Sequence, residues 1–180
     1  MNLGWKIAAA VHGHAAPWLL DSYHTERHPV GAAALRLTDL LQRVSVAPPP
    51  VRAVRPFLAR GALAIPMRRR VAGLSISYRP RDPRHAHDWE GRRVPDARLS
   101  TGRLHEALRH GRFLLVRHAG ADTTGWDGRV AGAETADPAF PALTLVRPDG
   151  YAAWAGDDPD SARTAITQWC GPARHHSTSV

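Results

Sequence analysis

The sequence is nearly without cysteine and nearly without lysine. Among 180 residues there is one cysteine, Cys170, which excludes an internal disulfide, a Cys-x-x-Cys redox pair and a zinc site built on thiolates. No apolar run approaches the ~20 residues of a membrane-spanning helix. No basic stretch leads at the N-terminus into an apolar core and a small-residue cleavage site, so the expected compartment is the cytoplasm. Two glycine patterns that cradle phosphates, Gly-x-Gly-x-x-Gly and Gly-x-x-x-x-Gly-Lys-Ser/Thr, are missing. So is the Gly-x-Ser-x-Gly elbow of hydrolases.

Lys6 is the only lysine. The other basic residues are arginines, a bias that fits a GC-rich coding sequence, and the net charge is +8. A basic balance is one footprint of nucleic-acid binding. Here the arginines are scattered, and the one tight run, Arg68 to Arg70, has no aromatics interleaved, so a nucleic-acid interface is not favoured. Hydrophobic residues at 43% and charged residues at 22% describe a globular chain. Its length suits one ordinary domain, or a small domain with part of another.

Periodicity divides the chain in two. Leu3, Ile7, Ala10 and Val11 recur at helical spacing, predicting a helix over 2–12 that Gly13 ends but whose start lacks a proper cap. A second helix is expected over 17–28, with Leu19, Leu20 and Tyr23 as its apolar side. Pro29 would open a third, on which Val30, Ala34, Leu37, Leu41 and Val44 form one stripe. Residues 45–55, with Pro48 to Pro50, read as a stiff linker. Residues 56–73 read as helix in two pieces punctuated by Pro56 and Pro66, and Ser75 to Tyr78 as a short strand.

The last part changes character. Residues 79–98 are polar and irregular. A short helix is expected over 102–110 with Gly111 as its stop, then a buried strand over Phe113 to Arg117. Ala142 to Arg147 is a second strand, and Arg147-Pro148-Asp149-Gly150 is a turn, because proline presets φ and glycine accepts a positive one. Tyr151 to Ala155 returns as the antiparallel partner. Asp158 caps a final helix that has Pro159 at its first position and Ala162, Ile166 and Trp169 as its apolar side; Gly171 ends it. The order helix, strand, strand, hairpin strand, helix predicts a small α+β sandwich, followed by a frayed tail over 172–180.

Few residues invite chemistry. His24 and His28 are four apart on a helix, with Glu26 between, a spacing that could put two imidazoles on one face, but two ligands do not make a metal site. His85 and His87 with Asp88 are a weaker grouping in a loop. Glu26 and Arg27 beside Tyr23 read either as an ion pair that pins helix ends to a neighbour or as a catalytic acid. Cys170 beside Trp169 reads as a buried structural thiol. No catalytic, cofactor-binding or metal residue is assigned.

The stretch Asn2-Leu3-Gly4-Trp5-Lys6-Ile7-Ala8, followed by Leu19-Leu20-Asp21-Ser22-Tyr23-His24-Thr25-Glu26-Arg27-His28-Pro29-Val30, resembles the FAD-dependent aromatic-ring hydroxylases related to para-hydroxybenzoate hydroxylase, most of all the bacterial polyketide-tailoring and phenol types. Gly91 to Asp96 with Leu99, Leu104 to Leu108 with Gly111 to Leu115, and Leu145 to Tyr151 with Trp154 resemble the same family's thioredoxin-like C-terminal domain, which lacks the redox cysteines. The resemblance implies an α+β fold: the helical end of a flavin-binding domain over 1–44, the linker at 45–55, connecting helices over 56–78, and a thioredoxin-like sandwich without Cys-x-x-Cys over 79–171.

It also implies FAD as cofactor, NAD(P)H as hydride source, an aromatic substrate, and an upstream flavin-domain polypeptide or self-association as partner. The family's Rossmann glycines and its other flavin motifs would lie before Met1. The chain is therefore expected to be the C-terminal third of such an enzyme, truncated or split, and inactive without the flavin-binding part. The alternative is a stand-alone, non-catalytic thioredoxin-like interaction or dimerisation module.

Overall fold

The computed structural model describes residues 2–46, 48, 76–78, 84, 86–118 and 122–174, of Val44 the backbone alone. The linker beyond 46 apart from Pro48, the helices expected over 56–73, Arg68 to Arg70, His85 and the tail from 175 lie outside the described residues. The chain forms two compact units, Met1–Tyr23 with Tyr78–Val180, and His24–Ser77.

The larger unit is built on a four-stranded sheet. Its strands are β3 (Phe113–Arg117), β4 (Val130–Glu134), β5 (Leu143–Val146) and β6 (Ala152–Gly156), in the spatial order β4-β3-β5-β6. β3 runs parallel to β4, with Phe113 opposite Val130. β3 and β5 are antiparallel, as are β5 and β6. A parallel pair needs a crossover of a dozen or more residues, and 118–129 supplies it. One parallel pair followed by two antiparallel pairs in this order is the sheet of a thioredoxin-like α+β domain.

Both faces of the sheet are covered, which is why β3 and β5 read as near-continuous apolar runs rather than alternating ones. On one face Phe113, Leu115, Leu143 and Leu145 pack with α4 (Pro159–Cys170), through Ala162, Ile166 and Trp169, and with Trp5 and Leu19 from the start of the chain. On the other, Leu114, Val116, Ala133 and Val146 meet Val94, Leu99, Leu104, Leu108 and Phe140. That second layer contains the two-residue pair β1 (Arg98–Leu99) and β2 (Gly102–Arg103), then the short helix α3 (Leu104–Ala107) and a 3-10 turn over Leu108–His110. Gly111 stops the turn with a φ of 71°. Asp158 caps α4 by accepting from the Ser161 N–H at 2.9 Å, with Pro159 in the first turn.

Several elements differ from the sequence-based expectation. β4 was not anticipated; Val-Ala-Gly-Ala-Glu has low strand propensity, and its pairing with β3 decides its state. The short helix α3 begins at Leu104, because Gly102 and Arg103 pair with Arg98 and Leu99 instead. Pro17 to Asp21 form turns, with Leu19 buried and Leu20 exposed, so the second helix begins at Ser22. That helix, α2 (Ser22–Val46), is continuous through Pro29, which costs it one N–H to the Thr25 carbonyl without ending it. From Ser75 to Tyr78 only an isolated bridge at Ser77 is described, and Tyr78 N–H donates to Gly91 O at 2.7 Å.

The first helix, α1 (Asn2–Val11), turns the opposite face inward from the one its stripe predicts. Asn2, Trp5 and Lys6 are buried, while Leu3, Ile7 and Val11 are exposed, Val11 at 77%. The large indole outweighs the aliphatic stripe for contact with the aromatic core, where Trp5 meets Phe113 edge-on at 5.3 Å.

Candidate functional site

The feature that stands out chemically is a charged pair inside an apolar layer. The turn between β5 and β6 closes through Gly150 N–H to Arg147 O at 2.9 Å, with Gly150 at a φ of 84°. It folds the Asp149 carboxylate back on the Arg147 guanidinium: Nε donates to Oδ1 at 3.0 Å and Nη2 to Oδ2 at 2.7 Å. Arg147 is 2% exposed. Such a pair survives burial only if the geometry is good and the remaining lone pairs find donors. Those donors come from α1. Asn2 Nδ2 and Trp5 Nε1 reach Asp149 Oδ2 at 3.0 and 3.2 Å.

Aromatic rings take the place of water around the guanidinium. Arg147 Cζ lies 5.1 Å from the Trp5 and Tyr78 ring centres, 5.3 Å from Trp169 and 6.0 Å from Tyr151. Cation–π contacts are worth about 0.5–1 kcal/mol when exposed and about 2 kcal/mol when desolvated, as here. Lys6, also fully buried, donates to Ser22 Oγ at 2.7 Å, and Ser22 donates onward to Leu19 O at 2.6 Å. Asn2, Trp5 and Lys6 thus fasten α1 and the turn after it to the sheet domain.

A second polar knot ties the segment before β4 to the end of α4. Arg129 donates to the carbonyls of Cys170, Gly125 and Pro172 at 2.7, 2.9 and 2.9 Å, and Trp126 Nε1 donates to Gly171 O at 2.8 Å. Burial, with Arg174 nearby, lowers the pKa of Arg129 from the usual arginine value. His14 Nε2 lies 3.2 Å from Arg174 Nη2, and desolvation together with the charges of Arg129 and Arg174 lowers the His14 pKa. Burial pushes the Cys170 thiol well up, so it is an inert thiol and not a nucleophile.

The residues singled out in the sequence do not converge. His24 and His28 sit with ring centres 5.2 Å apart on the exposed side of α2, and among the described residues no three His, Cys, Asp or Glu gather as metal ligands. His87 is exposed and accepts from the Trp89 N–H through Nδ1 at 3.2 Å. Tyr23, Glu26 and Arg27 are half-buried at the start of α2. Sequence reasoning missed the link between Asp149 and α1. Its one signal was an arginine and an aspartate placed in an otherwise apolar hairpin.

The described residues do not fit a flavin dinucleotide by themselves. A pyrophosphate site needs a strand, a glycine turn and the free N–H groups of a helix start. The crossover between the parallel strands β3 and β4, 118–129, has no helix among its described residues. The side chains of Asn2 and Trp5 in the first turns of α1 are taken up by a carboxylate, Asp149. Among the described residues no helix is long and apolar enough to cross a membrane.

Comparison with known proteins agrees with this layout. The model of the aromatic-ring hydroxylase C-terminal domain matches residues 87–173, and that of the FAD binding domain matches 1–38. A rifampicin monooxygenase of Streptomyces venezuelae is 37% identical over 179 residues, covering 96% of this chain and 37% of its own length. An anhydrotetracycline monooxygenase of Streptomyces rimosus is 35% identical, with 96% of this chain and 38% of its own length covered. The crystal structure of CabE, an aromatic hydroxylase from angucycline biosynthesis, superposes with a TM-score of 0.78 at 32% identity, over 96% of this chain and 40% of that one. The chain spans little more than a third of the length of these relatives. With both domain models matching in order and the fold shared over almost its whole length, the chain belongs to the FAD-dependent aromatic-ring hydroxylase family, of which it carries the C-terminal region.

Proposed function

We infer that this chain works as part of a flavin-dependent monooxygenase acting on an aromatic substrate of polyketide or phenolic kind, and that it has no catalytic activity alone. The observation that carries this reading is the junction of Asn2 and Trp5 with Asp149. It fastens the segment matching the FAD-binding model to the domain matching the hydroxylase C-terminal model. When bound, FAD would supply oxygen activation, with NAD(P)H as the hydride source. This chain's own residues supply packing and orientation: Arg147 and Asp149 hold α1 at a fixed angle, and Lys6 orders the turn into α2.

The partner in this reading is a polypeptide carrying the flavin domain, or a second copy of the chain. Leu3, Ile7, Val11 and Leu20 form exposed apolar surface on α1 and the turn after it, of the kind that marks an interaction site. The test is to purify the chain and mix it with a separately expressed dinucleotide-binding domain of a relative. Flavin retention and hydroxylation of a phenolic compound are expected only in the mixture. Stoichiometric flavin and turnover by the chain alone would overturn the inference. The same exposed residues also favour a second reading, a non-catalytic dimerisation module. A cooperative dimer indifferent to the added flavin domain selects that one.

A further inference from the structure

A cleft of about 130 Å³ opens beside α1. Its floor is aromatic and buried, made of Trp5, Phe113 and Trp169, and its rim includes the exposed Ala8 and His12. Nothing in the junction of α1 with Asp149 uses this space. The cleft is slightly smaller than the ~150 Å³ closed apolar cavity that takes benzene, and it is open on one side, so a ring can enter with its substituent left at the mouth. The rings already present meet one another at an angle, Trp5 to Phe113 at 90° and Trp5 to Trp169 at 44°, the edge-to-face and tilted geometries that aromatic clusters prefer.

The cleft also has a sign. Arg129 lines it, and among the described residues its guanidinium is bound to carbonyls and to no carboxylate, so its charge is not neutralised. An apolar ring would fill the floor, and an anionic oxygen would answer the positive edge. We propose that this cleft is a binding site for a single-ring aromatic acid, separate from any flavin-dependent chemistry. The site needs no cofactor and no turnover, so failure of the monooxygenase reading leaves it standing, and its own failure leaves that reading intact.

Benzoate is the probe, titrated into the full chain while the indole N–H resonances of Trp5 and Trp169 are followed by NMR. Saturable shifts of both are expected, with a dissociation constant on the order of 1 mM, as suits a ligand of so few atoms. Benzyl alcohol, which keeps the ring and loses the charge, should bind about fivefold more weakly. Cyclohexanecarboxylate, which keeps the charge and loses the flat ring, should be weaker as well. Ala8→Leu narrows the mouth from an exposed helix position, so its unfolding midpoint should hold while benzoate affinity falls about tenfold. Shifts that rise linearly without saturating, equal affinity for benzyl alcohol, or undiminished binding to Ala8→Leu would each overturn the proposal.

Discussion

Trp5 donates its indole N–H to Asp149 Oδ2 across a sequence separation of 144 residues. This one bond ties the first helix to the last hairpin. It also gives Asp149 a donor beyond Arg147, so the aspartate is the shared point of two otherwise unrelated segments.

Removing that shared point should be costly. Asp149→Ala leaves the Arg147 guanidinium buried without its counter-charge, and breaking a buried pair from one side costs about 3–5 kcal/mol. Urea unfolding followed by tryptophan fluorescence measures it. Asp149→Asn, which keeps an acceptor for Asn2 and Trp5, should recover part of the loss. Equal losses in the two variants would mean that charge alone matters.

Trp5 carries two roles that substitutions separate. Trp5→Phe keeps an aromatic ring against Phe113 and removes the donor to the Asp149 carboxylate, at about 1.5–3 kcal/mol. Trp5→Ala removes the packing as well and should cost about 3–5 kcal/mol. The difference between the two unfolding free energies isolates the ring.

At Gly91 the backbone has no room for a side chain. Its φ is 73°, and an added Cβ would lie 1.9 Å from the Tyr78 carbonyl oxygen. Gly91→Ala should therefore disrupt the hydrogen bond from Tyr78 N–H to Gly91 O and lower stability by about 1–3 kcal/mol or more. Amide exchange at Tyr78 reads the local effect directly.

Acid should weaken the fold in two stages. The His14 pKa is depressed below its ordinary 6.5 by desolvation first and then by Arg129 and Arg174, so the unfolded chain binds the proton better. The stability His14 contributes is thus complete above that value and is lost as pH falls below it. Hydrogen bonds hold three carboxyls below the ordinary 3.8: Asp96 through the His105 N–H and then Arg103, Asp122 through the Thr124 hydroxyl, and Asp158 through the Ser161 hydroxyl. Their contribution is complete above 3.8 and is lost as pH drops through the lower folded values. Thermal unfolding at a series of pH values should show both stages, and His14→Gln should remove the first alone.

The parts of this fold legible in the sequence are those set by neighbouring residues. Asp158 with Pro159, the stops at Gly111 and Gly171, the turn at Pro148 to Gly150 and the runs of β3 and β5 all declare themselves within a few positions. What stayed hidden depends on distant partners. β4 is a strand because β3 lies beside it, and its Ala and Gly residues state no preference. The helix α1 carries an aliphatic stripe and, opposite it, a face with Trp5 between Asn2 and Lys6, and which of them turns inward is decided by Phe113 and Trp169, far along the chain. The family was visible in motifs that include Asn2, Trp5 and Arg147 to Tyr151. That these motifs touch one another was visible only in three dimensions.

During synthesis the same junction imposes a delay. Asn2 and Trp5 leave the ribosome 147 and 144 residues ahead of the aspartate they bind. At common translation rates of ~5–20 residues per second, that interval lasts roughly 7–30 s. Through it the indole and the fully buried ammonium of Lys6 have no finished core to enter. Nascent chains should therefore need shielding around α1 until the last hairpin emerges.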